Sequence, residues 1–454
     1  MKKLCGTVVY NITNPAPAQS HDSPLPQATE KTGRCLSVPL AAAFLVAEMS
    51  GSGVLALPKA IANTGWAGLP LMVLLCACVG FAGTRLAICW VLLEDKWPEY
   101  RQPCRRPYPA IAYRAFGTVG SLICTAAQQA TLLGVSTVFL LLAAQLLSAL
   151  AQPLLSSATL CSCLFVVGGV LVPATWLGTP KDFWPASVAA VIVTVLACTV
   201  VVVEVARSPV PPADPPVYGS PTFTSFFLGF GTIVFSLGGA ATFPTVQNDM
   251  KERSKFVYSV AIAFTVLLVL YMPVSGVGYG VLGQAVSDNI LLSVSGTAVT
   301  ATRAMIFSHL LFVFVIIFNP VAQGLEEALA VPREFGWQRC CVRTLLLALI
   351  VLMAVSVPDF GKILNLIGGS SVTIESFVLP PLCYLKLCST KDDQGKPYRS
   401  VGFAESAVLI SVVITGVCAG VITTYTAASA IATPGSLGQS CFSSEAYEID
   451  KSIT

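Results

Sequence analysis

The sequence has 454 residues, of which 55% are hydrophobic and 11% are charged, and its formal net charge is +3. A soluble globular protein carries about 25% charged residues, so this chain cannot coat a water-facing surface of its size, and its small positive excess gives no argument for nucleic-acid binding. The composition predicts a multi-pass integral membrane protein that lies in a lipid bilayer.

Residues 1–36 are rich in Pro, Ser, Thr and Gln, which predicts a disordered N-terminal tail rather than a cleaved signal peptide. Residues 37–430 contain about eleven apolar runs, each close to the roughly 20 residues that a helix needs to cross the hydrocarbon core. Residues 431–454 form a C-terminal tail. The predicted fold class is an all-α polytopic membrane protein. Its predicted transmembrane helices lie near residues 37–60, 66–93, 117–149, 156–177, 183–205, 223–246, 256–282, 300–324, 341–358, 362–387 and 403–430.

Lysine and arginine are unequally distributed between the loops on the two sides of the membrane. If the N-terminal tail is cytoplasmic, the cytoplasmic segments hold 20 of the 26 Lys and Arg residues and the opposite side holds five. Cytoplasmic loops of membrane proteins carry an excess of these residues. The distribution therefore predicts a cytoplasmic N-terminus and a C-terminal tail on the non-cytoplasmic side.

The chain has 16 cysteines and two histidines, and many of the cysteines lie inside apolar runs, where they act as small hydrophobic residues. Cys161 and Cys163 form a CxC pair at the start of the fourth predicted span, and packing is the favoured interpretation for both. Because no cluster of His and Cys has the spacing of metal ligands, the sequence predicts no metal site and no cofactor.

Two predicted spans contain glycine clusters followed by proline. The first reads VAEMSGSGVLALPKA over residues 46–60, and the sixth reads GFGTIVFSLGGAATFP over residues 229–244. Glycine costs about 1 kcal/mol in a helix interior and proline about 3 kcal/mol, so both spans are predicted to unwind at mid-membrane depth. Unwound backbone there must be buried in protein or line a wet cavity. Its free N–H and C=O groups can then bind a carboxylate or a cation.

Close helix packing is the alternative explanation for these glycines, because small residues spaced four apart also mark helix–helix interfaces in membranes. For one cluster alone, packing is favoured. Two clusters placed five spans apart favour a binding site at the breaks, since interrupted helices in corresponding halves of a chain are typical of secondary transporters.

Three long motifs carry a resemblance to a known family. GSGVLALPKAIANTGWAG (51–68) resembles the first-span signature of the amino acid/auxin permease family. FGTIVFSLGGAATFPTVQNDMKERSKF (230–256) is similar to its sixth-span signature, and PDFGKILNLIGGSSVTIESFVLPPLCYLKL (358–387) to its tenth-span signature. The resemblance implies a leucine-transporter-like fold, with two inverted five-helix repeats plus one further helix and with broken first and sixth spans. It also implies amino-acid transport coupled to H⁺ or Na⁺.

The same resemblance implies which residues hold the substrate. In family members the unwound residues of the first and sixth spans bind the backbone groups of the amino acid. The matching positions in this sequence are Ser50, Gly51, Ser52, Gly53, Phe235, Ser236, Leu237, Gly238 and Gly239.

One departure from the family pattern bears on the coupling ion. Many sodium-coupled relatives carry asparagine before the first glycine motif, where this chain has AEMS. The departure favours H⁺ over Na⁺, and Na⁺ remains possible. Glu48 in this stretch is similar to the acidic residue of invertebrate-type members, so the chain is identified as a member of that type.

Ionisable residues inside predicted spans are costly and mark candidate functional groups. Glu48, His309 and Glu375 are the candidates for proton coupling. The alternative for Glu48 is a structural carboxylate, and for His309 a neutral histidine that is hydrogen-bonded between helices. Glu375 can pair with Arg85, with His309 or with no partner, and Arg85 can instead extend toward the membrane surface.

Other polar residues near the spans also have two interpretations. Glu326 and Glu327 suit either a salt bridge at the cytoplasmic mouth or simple solvation, and solvation is favoured. The side chains of Gln128, Gln129 and Thr131 either face a cavity or form hydrogen bonds between helices.

The favoured function is secondary active transport of amino acids by alternating access, with protons as the driving ion. An amino-acid-sensing receptor without net transport is the alternative, since both functions need the same binding site. An enzyme is disfavoured because the spans contain no HExxH, GxSxG or paired aspartates. The plasma membrane and an endolysosomal or vesicular membrane all remain open, and the sequence does not indicate the amino acid, the direction of transport or the oligomeric state.

Overall fold

The computed structural model describes residues 36–102, 104, 106–155, 158–176, 184–207, 215–332, 334–391, 395–433 and 441. Nearly all of them lie in helices, and the described part of the chain contains no β-strand longer than an isolated bridge. The all-α prediction is confirmed. The N-terminal half contains α1 Val38–Met49, α2 Ser52–Thr64, α3 Gly68–Lys96, α4 Pro107–Ala151, α5 Leu160–Trp176 and α6 Trp184–Arg207. The C-terminal half contains α7 Phe223–Ser236, α8 Phe243–Asn248, α9 Phe256–Leu282, α10 Thr297–Ala328, α11 Trp337–Ser356, α12 Phe360–Ile367, α13 Leu379–Ser389 and α14 Phe403–Ala432.

Within the described residues, eight helical segments are long and apolar enough to cross a membrane, and the bent pair α1–α2 makes a ninth. The shorter apolar helices α5 and α7 occupy the places of the predicted fourth and sixth spans. Each of the eleven predicted runs is thus helical, while the count of eleven membrane crossings stays a prediction.

Helix α4 begins ten residues before the predicted third span. The reason is Gly117, whose φ of 66° separates a first helical segment from the long membrane helix that follows. Glycine adopts this left-handed conformation without the steric penalty that a Cβ atom brings. The apolar run therefore marks the membrane part of α4, and Pro107 at the helix start marks the true beginning.

The two halves of the first span share α9 as a packing partner and differ in their other partner. Helix α1 lies against α6 and α9, whereas α2 lies along α7 and α9. Glycines allow the close approach of α2 and α7: a Cβ atom on Gly53 would lie 2.7 Å from the Cα atom of Ser236, and one on Gly229 would lie 2.6 Å from the carbonyl oxygen of Ala60. The glycines of these spans therefore serve close packing as well as helix interruption.

The tenth predicted span is also irregular. Helices α12 and α13 are joined by two π-helical turns, Gly368–Val372 and Ile374–Val378. Turns of this kind are rare and occur often at functional sites. The second turn contains Glu375, one of the predicted proton-coupling residues.

The packing interpretation is wrong for one of the two cysteines of the CxC pair. Cys161 forms a disulfide with Cys441, whereas Cys163 is free and buried. The backbone N–H of Cys441 also donates to the carbonyl oxygen of Val355 at 3.2 Å. Local spacing could not reveal the bond, because its two partners are 280 residues apart in the sequence.

The prediction of an N-terminal tail over residues 1–36 falls almost entirely outside the described residues. Of the predicted C-terminal tail, the structure describes residues 431–433 and Cys441. The boundaries of both tails stay predictions.

Candidate functional site

The first span is interrupted at the predicted glycine cluster. Helix α1 ends at Met49, α2 begins at Ser52, and their axes are bent by 58°. Ser50 closes α1: its N–H donates to the carbonyl of Val46 at 2.9 Å and its hydroxyl donates to the same oxygen at 2.5 Å. The last carbonyls of α1 and the first N–H groups of α2 consequently have no partner within their own helices.

The sixth span is interrupted in the same way. Helix α7 ends at Ser236, and the chain is non-helical until α8 begins at Phe243. The N–H of Leu237 donates to Ile233 at 3.1 Å and that of Gly238 to Phe235 at 2.9 Å, so tight turns close the helix end. Pro244 lies in the first turn of α8, where its missing N–H costs nothing.

The two breaks lie directly against each other. Besides the contact between Gly53 and Ser236, a Cβ atom on Gly239 would lie 2.6 Å from the Cγ atom of Met49. The hydroxyl of Tyr271 on α9 lies 2.8 Å from the carbonyl oxygen of Met49 and 2.9 Å from that of Ser236. Its single proton is therefore shared between the last residues of both broken helices. Tyr271 is not among the predicted site residues. Its signal in the sequence is a tyrosine inside an apolar run, whose hydroxyl needs a buried partner.

Two of the three predicted substrate-binding serines, Ser50 and Ser236, use their hydroxyls within their own helices. Ser50, Ser52 and Ser236 are buried, and the hydroxyl of Ser236 donates to the carbonyl of Thr232 at 2.8 Å within its own helix. The polar groups left at the breaks are thus mainly backbone N–H and C=O groups. Phe235 packs against Gly368, and Gly238 packs against Val372, so the sixth-span break contacts the tenth span.

A small cavity of about 10 Å³ lies beside the first break, with room for about one water molecule. Gly51 lines it, and of the nine predicted substrate-binding residues it is the one that does so. His309 also faces this cavity. The remaining lining residues come from α1, α2, α4, α6 and α10, and are Ala47, Val54, Leu55, Phe139, Leu142, Thr194, Ala197, Ile306, Leu310 and Val313.

Two carboxylates lie near the unwound part of the sixth span, Glu48 half-buried and Glu375 buried. The hydroxyl of Thr242 donates to the Oε2 atom of Glu48, which joins α1 to this segment. The Nε2 atom of Gln128 on α4 donates to the carbonyl oxygen of Ala241 at 2.9 Å. One turn later on α4, the hydroxyl of Thr131 donates to the Oε2 atom of Glu375 at 2.8 Å. The segment is therefore held from α1 by Glu48 and from α4 by Gln128.

Residues 34–429 match the family described as transmembrane amino acid transporter protein. The chain belongs to this family.

Curated relatives and solved structures agree with this membership. The chain is similar to the amino acid transporter AVT1J of Arabidopsis thaliana, with 26% identity across 84% of this chain and 88% of that protein. It is also similar to AVT3B of the same plant, with 25% identity across 80% of this chain and 88% of that protein.

Among solved structures, a mutant of the manganese transporter of Eremococcus coleocola aligns with a TM-score of 0.52 at 14% identity, covering 92% of this chain and 90% of that one. The likeness shows the leucine-transporter-like fold. Because the family and the curated relatives are amino acid transporters, the interpretation as a transporter rather than an enzyme is confirmed. Both AVT1J and AVT3B are plant proteins, and the invertebrate-type assignment stays a prediction.

Within this family member, the predicted partners of Glu375 are not its observed ones. Its Oε1 atom is buried without a hydrogen-bond partner among the described residues, and its backbone carbonyl accepts from the hydroxyl of Tyr108 at 2.7 Å. Arg85 forms a salt bridge with Glu405 at 2.7 Å and lies over the rings of Phe81 and Tyr384.

One of the two interpretations of His309, a neutral histidine that is hydrogen-bonded between helices, does not match the structure. Within the part of the chain that the structure describes, its side chain has no hydrogen bond or ion pair, and it lines the cavity beside Gly51. The glutamines on α4 mainly join helices, since Gln128 bonds to Ala241 and the side chain of Gln129 packs against Gly324.

Solvation was the wrong expectation for Glu326 at the end of α10, whereas Glu327 is exposed to solvent there. Glu326 is buried, and its Oε1 atom accepts from the Nε atom of Arg343 at 2.6 Å. Arg343 is fully buried and also donates to the Oδ1 atom of Asn319 at 2.9 Å and to the carbonyl of Thr175 at 2.8 Å. Glu327 pairs with Arg106 at the start of α4. These contacts fasten α10 to α4, α5 and α11.

One end of the transporter's broken-helix region is covered by the segment that precedes α1. The N–H of Leu36 donates to the carbonyl of Asp249 at 3.2 Å, and the N–H of Lys251 donates to that of Leu36 at 3.0 Å. Arg253 in the same loop pairs with Glu94 on α3. This side is the predicted cytoplasmic one.

The opposite end is covered by residues 283–296, which we call the far-side cover. The Nζ atom of Lys59 on α2 donates to the carbonyl of Gln284 at 3.4 Å, and the side chain of Gln284 donates to the carbonyl of Ala62 at 2.8 Å. Asp288 packs against the start of α12, where a Cβ atom on Gly361 would lie 3.0 Å from its Oδ1 atom. Burial, and then the nearby carboxylate of Asp359, raises the pKa of Asp288.

Proposed function

We propose that the protein is a secondary active transporter of amino acids, which works by alternating access and carries protons together with its substrate. Membership of the amino acid transporter family supports the substrate class. The observation that carries the mechanism is the contact between the two helix breaks, which face each other at Gly53 and Ser236 and share the hydroxyl of Tyr271. Interrupted helices that meet in a membrane are typical of transporter sites.

The backbone ends at the breaks suit the two charged groups of an amino acid. The first N–H groups of α2 carry a partial positive charge and favour the α-carboxylate. The last carbonyls of α1 and α7, at Met49 and Ser236, carry a partial negative charge and favour the α-ammonium group. Since Tyr271 already binds both carbonyls through one proton, each oxygen keeps a lone pair for the substrate.

Glu48 is the residue that we propose for proton coupling. Its ionised carboxylate accepts the hydroxyl of Thr242 in the unwound sixth-span segment, whereas a protonated carboxyl can also donate. Gain or loss of the proton therefore changes the bond between the two broken spans. Glu375 is the second candidate, because one of its oxygens is buried without a partner within the described residues. His309 is the third, and Na⁺ is the alternative coupling ion.

The disulfide supports the proposed orientation. Disulfides persist in oxidising compartments and are rare in the cytosol. Cys161 at the start of α5 and Cys441 after α14 both lie on the side whose loops hold few Lys and Arg residues. This placement supports a cytoplasmic N-terminus and a C-terminal tail on the non-cytoplasmic side, and the plasma membrane and endolysosomal or vesicular membranes all fit.

Uptake of radiolabelled amino acids into proteoliposomes tests the proposal, with a pH gradient and a sodium gradient imposed separately. We expect accumulation that follows the pH gradient. Glu48→Gln should keep substrate binding and lose the response to pH, whereas the matched control Glu405→Gln, whose carboxylate pairs with Arg85, should keep it. Uptake that follows only sodium would contradict proton coupling. Binding without any uptake would instead support the amino-acid-sensing receptor.

A further inference from the structure

The cavity beside the first break is nearly free of groups that could balance a charge. Ten of its twelve lining residues are apolar or glycine, and the two polar ones are Thr194 and His309. No Asp, Glu, Lys or Arg lines it. Glu48, the nearest acidic residue along the chain, instead bonds to Thr242. An unpaired charge in such surroundings costs several kcal/mol, so a substrate whose side chain is charged would be rejected here.

Phe139 limits the space at the same point. Its Cζ atom lies 3.3 Å from the position of a Cβ atom built on Gly51, so its ring covers the backbone of the first break. The ring is buried in α4 and lies among the apolar lining residues Val54, Leu142 and Leu310. A substrate held at Gly51 by its backbone groups would lie beside Phe139, where the cavity measures about 10 Å³.

We propose that this cavity receives the side chain of the transported amino acid, that it selects small uncharged side chains, and that Phe139 sets the upper limit on their size. The inference rests on the proposed function, and it adds the substrate class and a specificity-determining residue to it. Small apolar pockets discriminate against added methylene groups by about 10- to 200-fold each. Truncation of Phe139 should accordingly admit larger side chains.

Competition against radiolabelled L-alanine uptake in proteoliposomes at pH 7 tests the selectivity. Glycine and serine should compete, leucine and phenylalanine should compete weakly, and lysine and glutamate should not compete. Phe139→Ala should raise leucine uptake relative to alanine uptake by about tenfold. Phe314→Ala is the matched control, because Phe314 is an equally buried phenylalanine on α10 that does not line the cavity. This control should leave the ratio unchanged.

A second variant and a second measurement distinguish failure of this inference from failure of the proposed function. Phe139→Leu retains most of the packing and should shift the same ratio by a smaller factor. Thermal stabilisation of the purified protein by each amino acid reports binding without transport. Equal competition by lysine, glutamate and alanine, or an unchanged leucine-to-alanine ratio in both Phe139 variants, would overturn the inference while leaving amino-acid transport intact. Failure of every amino acid both to enter and to stabilise the protein would overturn the proposed function itself.

Discussion

Tyr271 shows how one side chain can hold two interrupted helices. Its hydroxyl is fully buried between the carbonyl oxygens of Met49 and Ser236, on which α1 and α7 end. Removal of the hydroxyl would leave two buried acceptors without this donor. A buried polar group that loses its partner costs about 1–3 kcal/mol. A tyrosine in this position therefore stabilises the break itself rather than the surrounding apolar core.

Tyr271→Phe should lower the stability of the transporter by about 1–3 kcal/mol and reduce uptake, because the two breaks lose their common contact. Tyr279→Phe is the matched control. Tyr279 lies on the same helix and is equally buried, but its hydroxyl has no hydrogen-bond partner among the described residues. The unfolding midpoint of each purified variant in detergent provides the measurement. Equal losses in the two variants would show that the shared hydroxyl of Tyr271 has no special role.

At the scale of helices and loops, the far-side cover connects the broken first span to the tenth span. The cover bonds to α2 through Lys59 and Gln284, and its Asp288 packs on the start of α12. The charged groups that face Asp288 are Lys59 on α2 together with Asp359 and Lys362 at α12, and the last two form a salt bridge at 3.2 Å. Movement of α2 or α12 during transport must therefore disturb this cover.

The cover should be most stable at acidic pH. Burial and Asp359 raise the pKa of Asp288 above the value that it has when the cover is released, so the closed cover binds the proton more tightly. The stabilisation of the closed cover by protonated Asp288 is complete below the ordinary aspartate pKa of about 3.9. It is lost as the pH rises through the raised pKa that Asp288 has in the closed cover. Asp288→Asn should remove this dependence and keep residues 283–296 protected at neutral pH.

Hydrogen exchange of the amides in residues 283–296, corrected for the intrinsic effect of pH on exchange, measures the protection of the cover. Asp95→Asn is the control, because Asp95 is an exposed carboxylate at the C-terminal end of α3. In this variant the protection of the cover should depend on pH as it does in the wild type. Protection of the wild-type cover that increases with pH would contradict the prediction, because the sign would be reversed.

The interruptions of helices could be predicted because their causes are local. Gly51 and Gly53 weaken the first span, and Gly238 and Gly239 weaken the sixth, whatever surrounds them. The partners of the breaks could not be predicted in the same way. The pairing of Glu326 with Arg343, for example, depends on how α10 and α11 meet, and no local pattern distinguishes it from solvation.

For the whole molecule, the leucine-transporter-like fold places the breaks between two closed ends. The segment before α1 bonds to the loop after α8 on one side, and the far-side cover bonds to α2 on the other. The site is thus enclosed from both directions, as its cavity of about 10 Å³ also indicates. Alternating access requires that these two closures open in turn. Which closure faces the cytoplasm depends on the orientation of the chain.

The disulfide allows a direct test of that orientation. In cells or sealed vesicles, we expect a membrane-impermeant reductant applied on the non-cytoplasmic side to free the thiols of Cys161 and Cys441 for an impermeant thiol reagent. Cys341 at the start of α11 is free and exposed, and it should react with the same reagent from the cytoplasmic side without reduction. In this experiment Cys5 and Cys35 are replaced by serine, so that the thiols of the N-terminal segment do not add to the signal from Cys341.

Two controls make the labelling pattern decisive. Cys441→Ser leaves Cys161 as a free thiol, so labelling on the non-cytoplasmic side should no longer need the reductant. Cys341→Ser should lower the cytoplasmic signal to that of the half-buried Cys104 and Cys340, and it should leave the disulfide signal unchanged. Reduction and labelling of Cys161 and Cys441 from the cytoplasmic side would reverse the orientation. Three predicted spans separate Leu36 from Cys161, so these two residues lie on opposite sides of the membrane. That result would therefore also place the segment at Leu36 outside the cytoplasm and exchange the roles of the two closures.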